Sequence, residues 1–154
     1  MSLAETSSTM DGGEVIWAVD DEPDVLSTLE QILEQGGFEY RGFTSAEDVL
    51  AALESEQPDL MILDLMMPEM SGIDVLREIR RSEATGDLPV VVLTALSSES
   101  SLINAFEAGA DDVVRKPFSV PEILARISWQ MRQHRQMRRL RQKSRDMELV
   151  AEFS

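Results

Sequence analysis

LMILDLMMPEMSG, residues Leu60 to Gly72, reads as a short apolar strand that ends on a carboxylate, Asp64, and gives way to a loop marked by Pro68 and Gly72. An ionisable side chain directly after so apolar a run is costly to bury unless something pairs with it or coordinates it. Asp64 therefore predicts a cation or a chemical task at the end of this strand.

The same grammar recurs on both sides. Val15 to Val19 is apolar and rich in β-branched residues, stops at Asp20-Asp21-Glu22, and leads through Pro23 into a helical pattern with Val25, Leu26, Leu29, Ile32 and Leu33 on one face up to Gly36-Gly37. Tyr40 to Phe43 predicts the second strand and Ser45 to Glu54 its helix, with Thr44 and Glu47 spaced as a capping box. After Leu60 to Leu63 comes a helix from about Ile73 to Arg81, then the strand Pro89 to Leu93, and then a helix over about Ser100 to Ala108 that Gly109 stops. Asp112 to Arg115 predicts a fifth strand, and Lys116-Pro117-Phe118 leads into a long last helix from near Val120. Apolar strands alternating with helices predict an α/β fold, a doubly wound parallel sheet with helices on both faces and right-handed crossovers.

Composition fits one domain. The chain has 154 residues, 43% hydrophobic and 28% charged, enough for a real core. It contains no cysteine, which excludes a disulfide framework and thiolate metal sites and agrees with a reducing, cytoplasmic setting. The first basic residue is Arg41 and no long apolar run opens the chain, so neither a secretory leader nor a membrane span is expected. Charge is divided sharply: residues 1–125 carry a net −20 and residues 126–154 a net +5. The acidic part argues against a nucleic-acid footprint, which needs clustered Lys and Arg, so nucleic acid is an unexpected partner and only the tail has the charge for it.

In open α/β sheets, ligands sit beyond the carboxyl ends of the strands. Four of the five strand ends here carry polar groups: Asp20 and Asp21, Asp64, Thr94, and Lys116. Three neighbouring carboxylates repel, and the usual remedy is a hard divalent cation held by oxygen; Mg²⁺, which accepts one or two carboxylates plus water and phosphate, fits best. The constellation predicts a phosphoryl site with a carboxylate nucleophile and Lys116 as the further positive charge. Any one of these residues alone reads as an ordinary solvated loop residue; their co-location is what promotes them.

In these residues the chain resembles the receiver domains of two-component response regulators, similar to the single-domain chemotaxis regulator. The resemblance covers about Glu14 to Gln130 and rests on VDDE at Val19 to Glu22, DLMMPEMSG at Asp64 to Gly72, Thr94-Ala95, and KPF at Lys116 to Phe118. It implies a flavodoxin-like five-stranded sheet in the order 2-1-3-4-5. Asp64 would be the phosphoacceptor for a phosphohistidine of a sensor histidine kinase or phosphotransfer protein. Asp21 and Asp64 would hold Mg²⁺ with the backbone carbonyl of Met66, and Asp20 would act through water. Thr94 and Lys116 would bind phosphoryl oxygens, and Lys116-Pro117 would be a cis peptide. Such a domain is a signalling module, not an enzyme with a separate substrate.

The chain departs from the family pattern at Val113, three residues before Lys116, where an aromatic switch residue is usual. Leu96 and Met66 are apolar where some relatives are polar, which would restrict hydrolytic water. Rival chemistries fit less well. A flavin mononucleotide carrier needs a neutral phosphate loop where this chain has DDEPD, and a haloacid-dehalogenase-type phosphohydrolase wants a second Asp where Met66 stands. A receiver-like interaction module that is not phosphorylated is the remaining alternative.

The organisation expected is therefore a loose arm at 1–13, a receiver domain at 14–130, and a basic helical extension at 131–154. Arg126 to Arg145 holds eight basic and no acidic residues, and Met137, Leu140, Met147 and Ala151 are spaced as a short a/d seam interrupted by Ser144. A solvated single helix and a dimerising, signal-transmitting helix both satisfy that pattern. The expectation is that the helix continues past the receiver core, pairs with a second copy and leads to an output domain. His134 is expected on a solvated face of this helix and is given no role.

Overall fold

A computed structural model describes residues 13–153, with tail side chains described as far as Met147, so the expected arm lies outside the described residues except for Gly13. The elements are β1 (Val15–Val19), α1 (Pro23–Gln35), β2 (Glu39–Phe43), α2 (Ala46–Leu53), β3 (Leu60–Leu63), α3 (Gly72–Arg81), β4 (Val90–Thr94), α4 (Glu99–Ala108), β5 (Asp112–Arg115) and α5 (Val120–Phe153). The strands form one parallel sheet in the order β2-β1-β3-β4-β5, as the resemblance implied.

Alternation along the strands divides the core in two. Trp17, Val19, Met61, Leu63, Val90 and Val92 point to the face covered by α2, α3 and α4, which contribute Val49, Val75, Leu76, Ile79 and Ala105. Ile16, Ala18, Leu60, Ile62, Val91 and Leu93 point to the face covered by α1 and α5, through Leu29, Leu33, Ile123, Ile127 and Met131. Every residue of β3 and β4 is buried, which is why these strands read as unbroken apolar runs. The edge strand β2 differs from that expectation: Glu39, Arg41 and Gly42 are exposed, and charge on an edge discourages pairing with a stray strand. Arg41 lies over the rings of Trp17 and Phe43, so its stem covers what the edge would otherwise expose.

Three of the helix starts are set by serines. Ser45, Ser71 and Ser98 cap α2, α3 and α4, each side chain accepting from the backbone N–H three residues on. The expected Thr44–Glu47 capping box is thus displaced by one residue, because Ser45, and not Thr44, holds the extended conformation before the first turn.

Arg80 fastens the end of the sheet away from Asp64. Its guanidinium donates to the carbonyls of Gly109, Gly86 and Leu88 and to Asp111 Oδ2, which also accepts from Val90 N. Helix α5 runs from Val120 to Phe153 without interruption, so the expected boundary at 131 is marked only by Met131, its last buried apolar residue among the described residues. No helix among the described residues is long and apolar enough to cross a membrane.

Candidate functional site

Strand register builds the site. Val19 pairs with Leu63, and the ladder continues one residue further as Asp64 N donates to Val19 O at 3.0 Å. Asp20 N donates to Phe43 O at 3.0 Å, and Lys116 N to Thr94 O at 2.8 Å. Four residues distant in sequence, Asp20, Asp64, Thr94 and Lys116, are thereby brought to the carboxyl end of the sheet, each ending or following a strand.

Asp20, Asp64 and Thr94 are buried, at 2%, 4% and 0% exposure, while Asp21 is exposed. One carboxylate oxygen from each of Asp20, Asp21 and Asp64 lies within 4.8 Å of the other two. Lys116 Nζ donates to Asp20 Oδ2 at 2.9 Å and stands 3.6 Å from Asp64 Oδ2. Asp20 Oδ1 accepts from Glu22 N at 2.9 Å, and Asp64 Oδ1 accepts from Met66 N at 3.2 Å. Thr94 Oγ1 accepts from Leu96 N at 3.1 Å, which orients the hydroxyl and leaves its own hydrogen to donate.

These surroundings set the charges. Burial raises the Asp64 pKa above the ordinary carboxylate value; the Met66 N–H and Lys116 oppose the rise, and Asp20 and Asp21 add to it. For Lys116, burial works to lower the pKa, but the hydrogen bond to Asp20 and the charges of Asp64, Asp20 and Glu22 outweigh it and raise the value. The ammonium is therefore firmly charged beside a carboxylate that is expensive to ionise. An all-oxygen cluster of this spacing, one member open to solvent, suits a hard divalent cation.

The loop after Asp64 is held by a close backbone approach. A Cβ at Gly72 would lie 2.2 Å from the Asp64 carbonyl oxygen and 2.7 Å from Leu65 Cα, so only glycine lets α3 start this near the nucleophile candidate. Glu69, in the same loop, has φ 69°, and Met66 is 54% exposed. The Lys116–Pro117 peptide is cis. Val113 is half-buried against the α2–α3–α4 side of the core, an aliphatic residue with no ring to rotate.

Of the residues expected at the strand ends, Asp20, Asp21, Asp64 and Lys116 meet through their side chains, and Thr94 joins them through its backbone bond to Lys116. Two positions were not anticipated: Gly72 as the point of closest backbone approach, which the motif contained without stating why, and Arg80. His134 departs from expectation, since it is half-buried and lines one groove with Asp87 and Asp111 at the base of the receiver.

The fold and site define a class, and the chain belongs to it: the family model for the response regulator receiver domain matches residues 16–128. It is 38% identical over 123 residues to the DNA-binding transcriptional regulator NtrC of Proteus hauseri, covering 80% of this chain and 26% of that protein. It is 38% identical over 115 residues to the phosphate regulon regulatory protein PhoB of Pseudomonas aeruginosa, covering 75% of this chain and 50% of that one. The chain thus spans a quarter to a half of these relatives. Among solved structures, a CheY-like receiver domain protein of Methanospirillum hungatei is similar with TM-score 0.76 and 26% identity, covering 80% of this chain and 98% of that one. The beryllofluoride-activated DrrB receiver domain has TM-score 0.71 and 34% identity, covering 77% and 97%. This is a receiver domain of the two-component response regulators, and neither the flavin nor the phosphohydrolase reading is favoured.

Proposed function

We propose that Asp64 is the phosphoacceptor of this receiver and that a phosphohistidine of a sensor histidine kinase or phosphotransfer protein is the donor. The observation that carries the reading is the convergence of Asp20, Asp21 and Asp64 on one point with the Lys116 ammonium against two of them. An Asp64 oxygen forms a bond to phosphorus as the P–N bond breaks; the product is an acyl phosphate, and the imidazole leaves neutral because its other ring nitrogen carries a proton taken from solvent. Phosphoryl transfer is chiefly positioning and neutralisation of equatorial charge. The Met66 N–H fixes the Asp64 carboxylate, Lys116 neutralises one phosphoryl oxygen, and the Thr94 hydroxyl donates to another. Asp21 and Asp64, with the Met66 carbonyl and with Asp20 through water, would hold Mg²⁺, which supplies charge neutralisation between carboxylates and phosphoryl oxygens.

The domain would catalyse only its own phosphorylation and dephosphorylation. The consequence is a changed partner or output interaction, with the basic helix beyond 130 as the element that passes it on, pairing with a second copy and leading toward an output domain. A phosphohistidine donor fits a cytoplasmic location.

Trp17, in the strand feeding Asp20 and Asp21, offers the test. Its fluorescence is expected to respond to Mg²⁺ and again to beryllofluoride, and Asp21→Asn to abolish the Mg²⁺ response. A titration unchanged by Asp21→Asn refutes the ligand assignment.

A further inference from the structure

Among the described residues the last buried apolar residue of α5 is Met131, yet the helix runs on to Phe153. Over that length its two sides differ. The stripe that packs on the sheet as Ile123, Ile127 and Met131 continues in phase as His134, Arg138 and Arg141, and so turns from apolar to cationic where the sheet ends. It meets carboxylates at the base of the receiver: Arg141 Nη1 pairs with Asp87 Oδ2, and on the adjoining side Arg135 pairs with Glu14 at 3.2 Å. The other side carries Met137, Leu140 and Met147, which are 50%, 67% and 72% exposed.

Taking Met137 as a and Leu140 as d gives a heptad frame with Gln133 at d, Ser144 at a and Met147 at d. The frame also sorts the charge. Arg132, Arg135, Arg138, Arg139 and Arg145 all fall at b, c or f, away from the seam. The flanking e and g positions between Trp129 and Lys143 hold Trp129, His134, Gln136, Arg141 and Lys143. Burial and the Arg138 charge hold the His134 pKa below its usual value, which favours the neutral imidazole, and Arg141 is occupied by Asp87. A strongly basic helix is thus arranged so that almost no unpaired positive charge borders its apolar stripe. That arrangement suits a second identical helix, whose own positive charge would otherwise repel it, better than an acidic partner.

We infer that α5 pairs in parallel and in register with α5 of a second copy through Met137, Leu140, Ser144 and Met147, and that each receiver's Asp87 acts as the intramolecular counter-ion that clears Arg141 from the flank of this seam. The inference deepens the proposed pairing of the basic helix and rests on that reading. The seam is about two heptads with a polar Ser144 inside it, so the association is weak and reversible.

The chain has no cysteine, so single cysteines report geometry cleanly. Under mild oxidation, Leu140→Cys and Met147→Cys are each expected to give covalent dimer, because parallel d positions face their own copies within disulfide reach, and Arg139→Cys is not. Sedimentation is expected to show a monomer–dimer equilibrium that Leu140→Glu abolishes and Ser144→Leu tightens. At low salt Asp87→Asn should weaken association about threefold, the order expected for an exposed ion pair, and Arg141→Gln on that background should restore it. Monomer at every concentration, or equal cross-linking of Arg139→Cys and Leu140→Cys, overturns the pairing. Cross-linking of Leu140→Cys without Met147→Cys overturns the parallel register, and an Asp87→Asn dimer of wild-type strength overturns the counter-ion role. Beryllofluoride binding measured on the same samples separates the readings: its loss counts against the phosphoacceptor site, while sedimentation alone decides the pairing.

Discussion

Gly72→Ala places a methyl group where backbone already stands. The added Cβ would lie 2.2 Å from the Asp64 carbonyl oxygen and 2.7 Å from Leu65 Cα, and neither atom can rotate away as a flexible side chain would. Relief requires the β3–α3 loop and the start of α3 to part by about 1 Å, a forced overpacking that costs about 1–3 kcal/mol, with the upper half expected for a clash against main chain. Alanine's better helix propensity returns under about 1 kcal/mol of this at the first turn. A net loss of about 2 kcal/mol lowers the melting temperature by roughly 4–8 °C in a domain of this size. The same displacement moves Asp64 relative to Lys116, and a misplacement of about 1 Å costs on the order of a hundredfold where chemistry depends on positioning. Thermal unfolding and the rate of labelling by a small phosphodonor measure the two effects on one sample. A Gly72→Ala protein with wild-type melting and wild-type labelling would refute the claim that this approach holds the acceptor in place.

Three further outcomes follow from the geometry. The folded-state pKa of Asp64 is raised, so its favourable contribution is present below the ordinary carboxylate range and is lost as pH rises through the raised value; Asp64→Asn should therefore be more stable than wild type at pH 7, with the gain shrinking below about pH 4 in chemical denaturation. A gain that does not change with pH would show that Asp64 is not strained by ionisation. Arg80→Ala should cost about 2–4 kcal/mol in urea unfolding, since it strips charged donors from the Gly86, Leu88 and Gly109 carbonyls and from Asp111; a loss under about 1 kcal/mol would mean that solvent replaces them. Glu69→Gly should stabilise by up to about 1 kcal/mol by relieving a left-handed backbone at φ 69°, and a destabilised variant would contradict that.

Much of this was legible in the residues because Asp20, Asp64 and Thr94 each stand at the end of a strand whose burial is written as an unbroken apolar run. Leu60 to Leu63 and Val90 to Leu93 could be nothing but central strands, and their register then forced Asp64 beside Asp20 and Thr94 beside Lys116. Gly72 was visible as a motif letter, but its reason, a main-chain contact with Asp64, involves no side chain and leaves no pattern. Arg80 was hidden for a similar cause, since most of its partners are loop carbonyls that any residue supplies. The shift from Thr44 to Ser45 as helix cap is a choice between adjacent hydroxyls, which only backbone conformation decides. His134 is three residues past Met131, in phase with the buried stripe, but the polar Gln133 and Arg135 on either side mask that phase.

The central claim is that Asp64 alone accepts the phosphoryl group. Labelling with a small phosphodonor and Mg²⁺, followed by borohydride reduction of the acyl phosphate and peptide mass mapping, converts the acceptor aspartate to homoserine and so identifies it. The account predicts homoserine at position 64 and no labelling of Asp64→Ala. Label at Asp20 or Asp21, or label that survives Asp64→Ala, would contradict it.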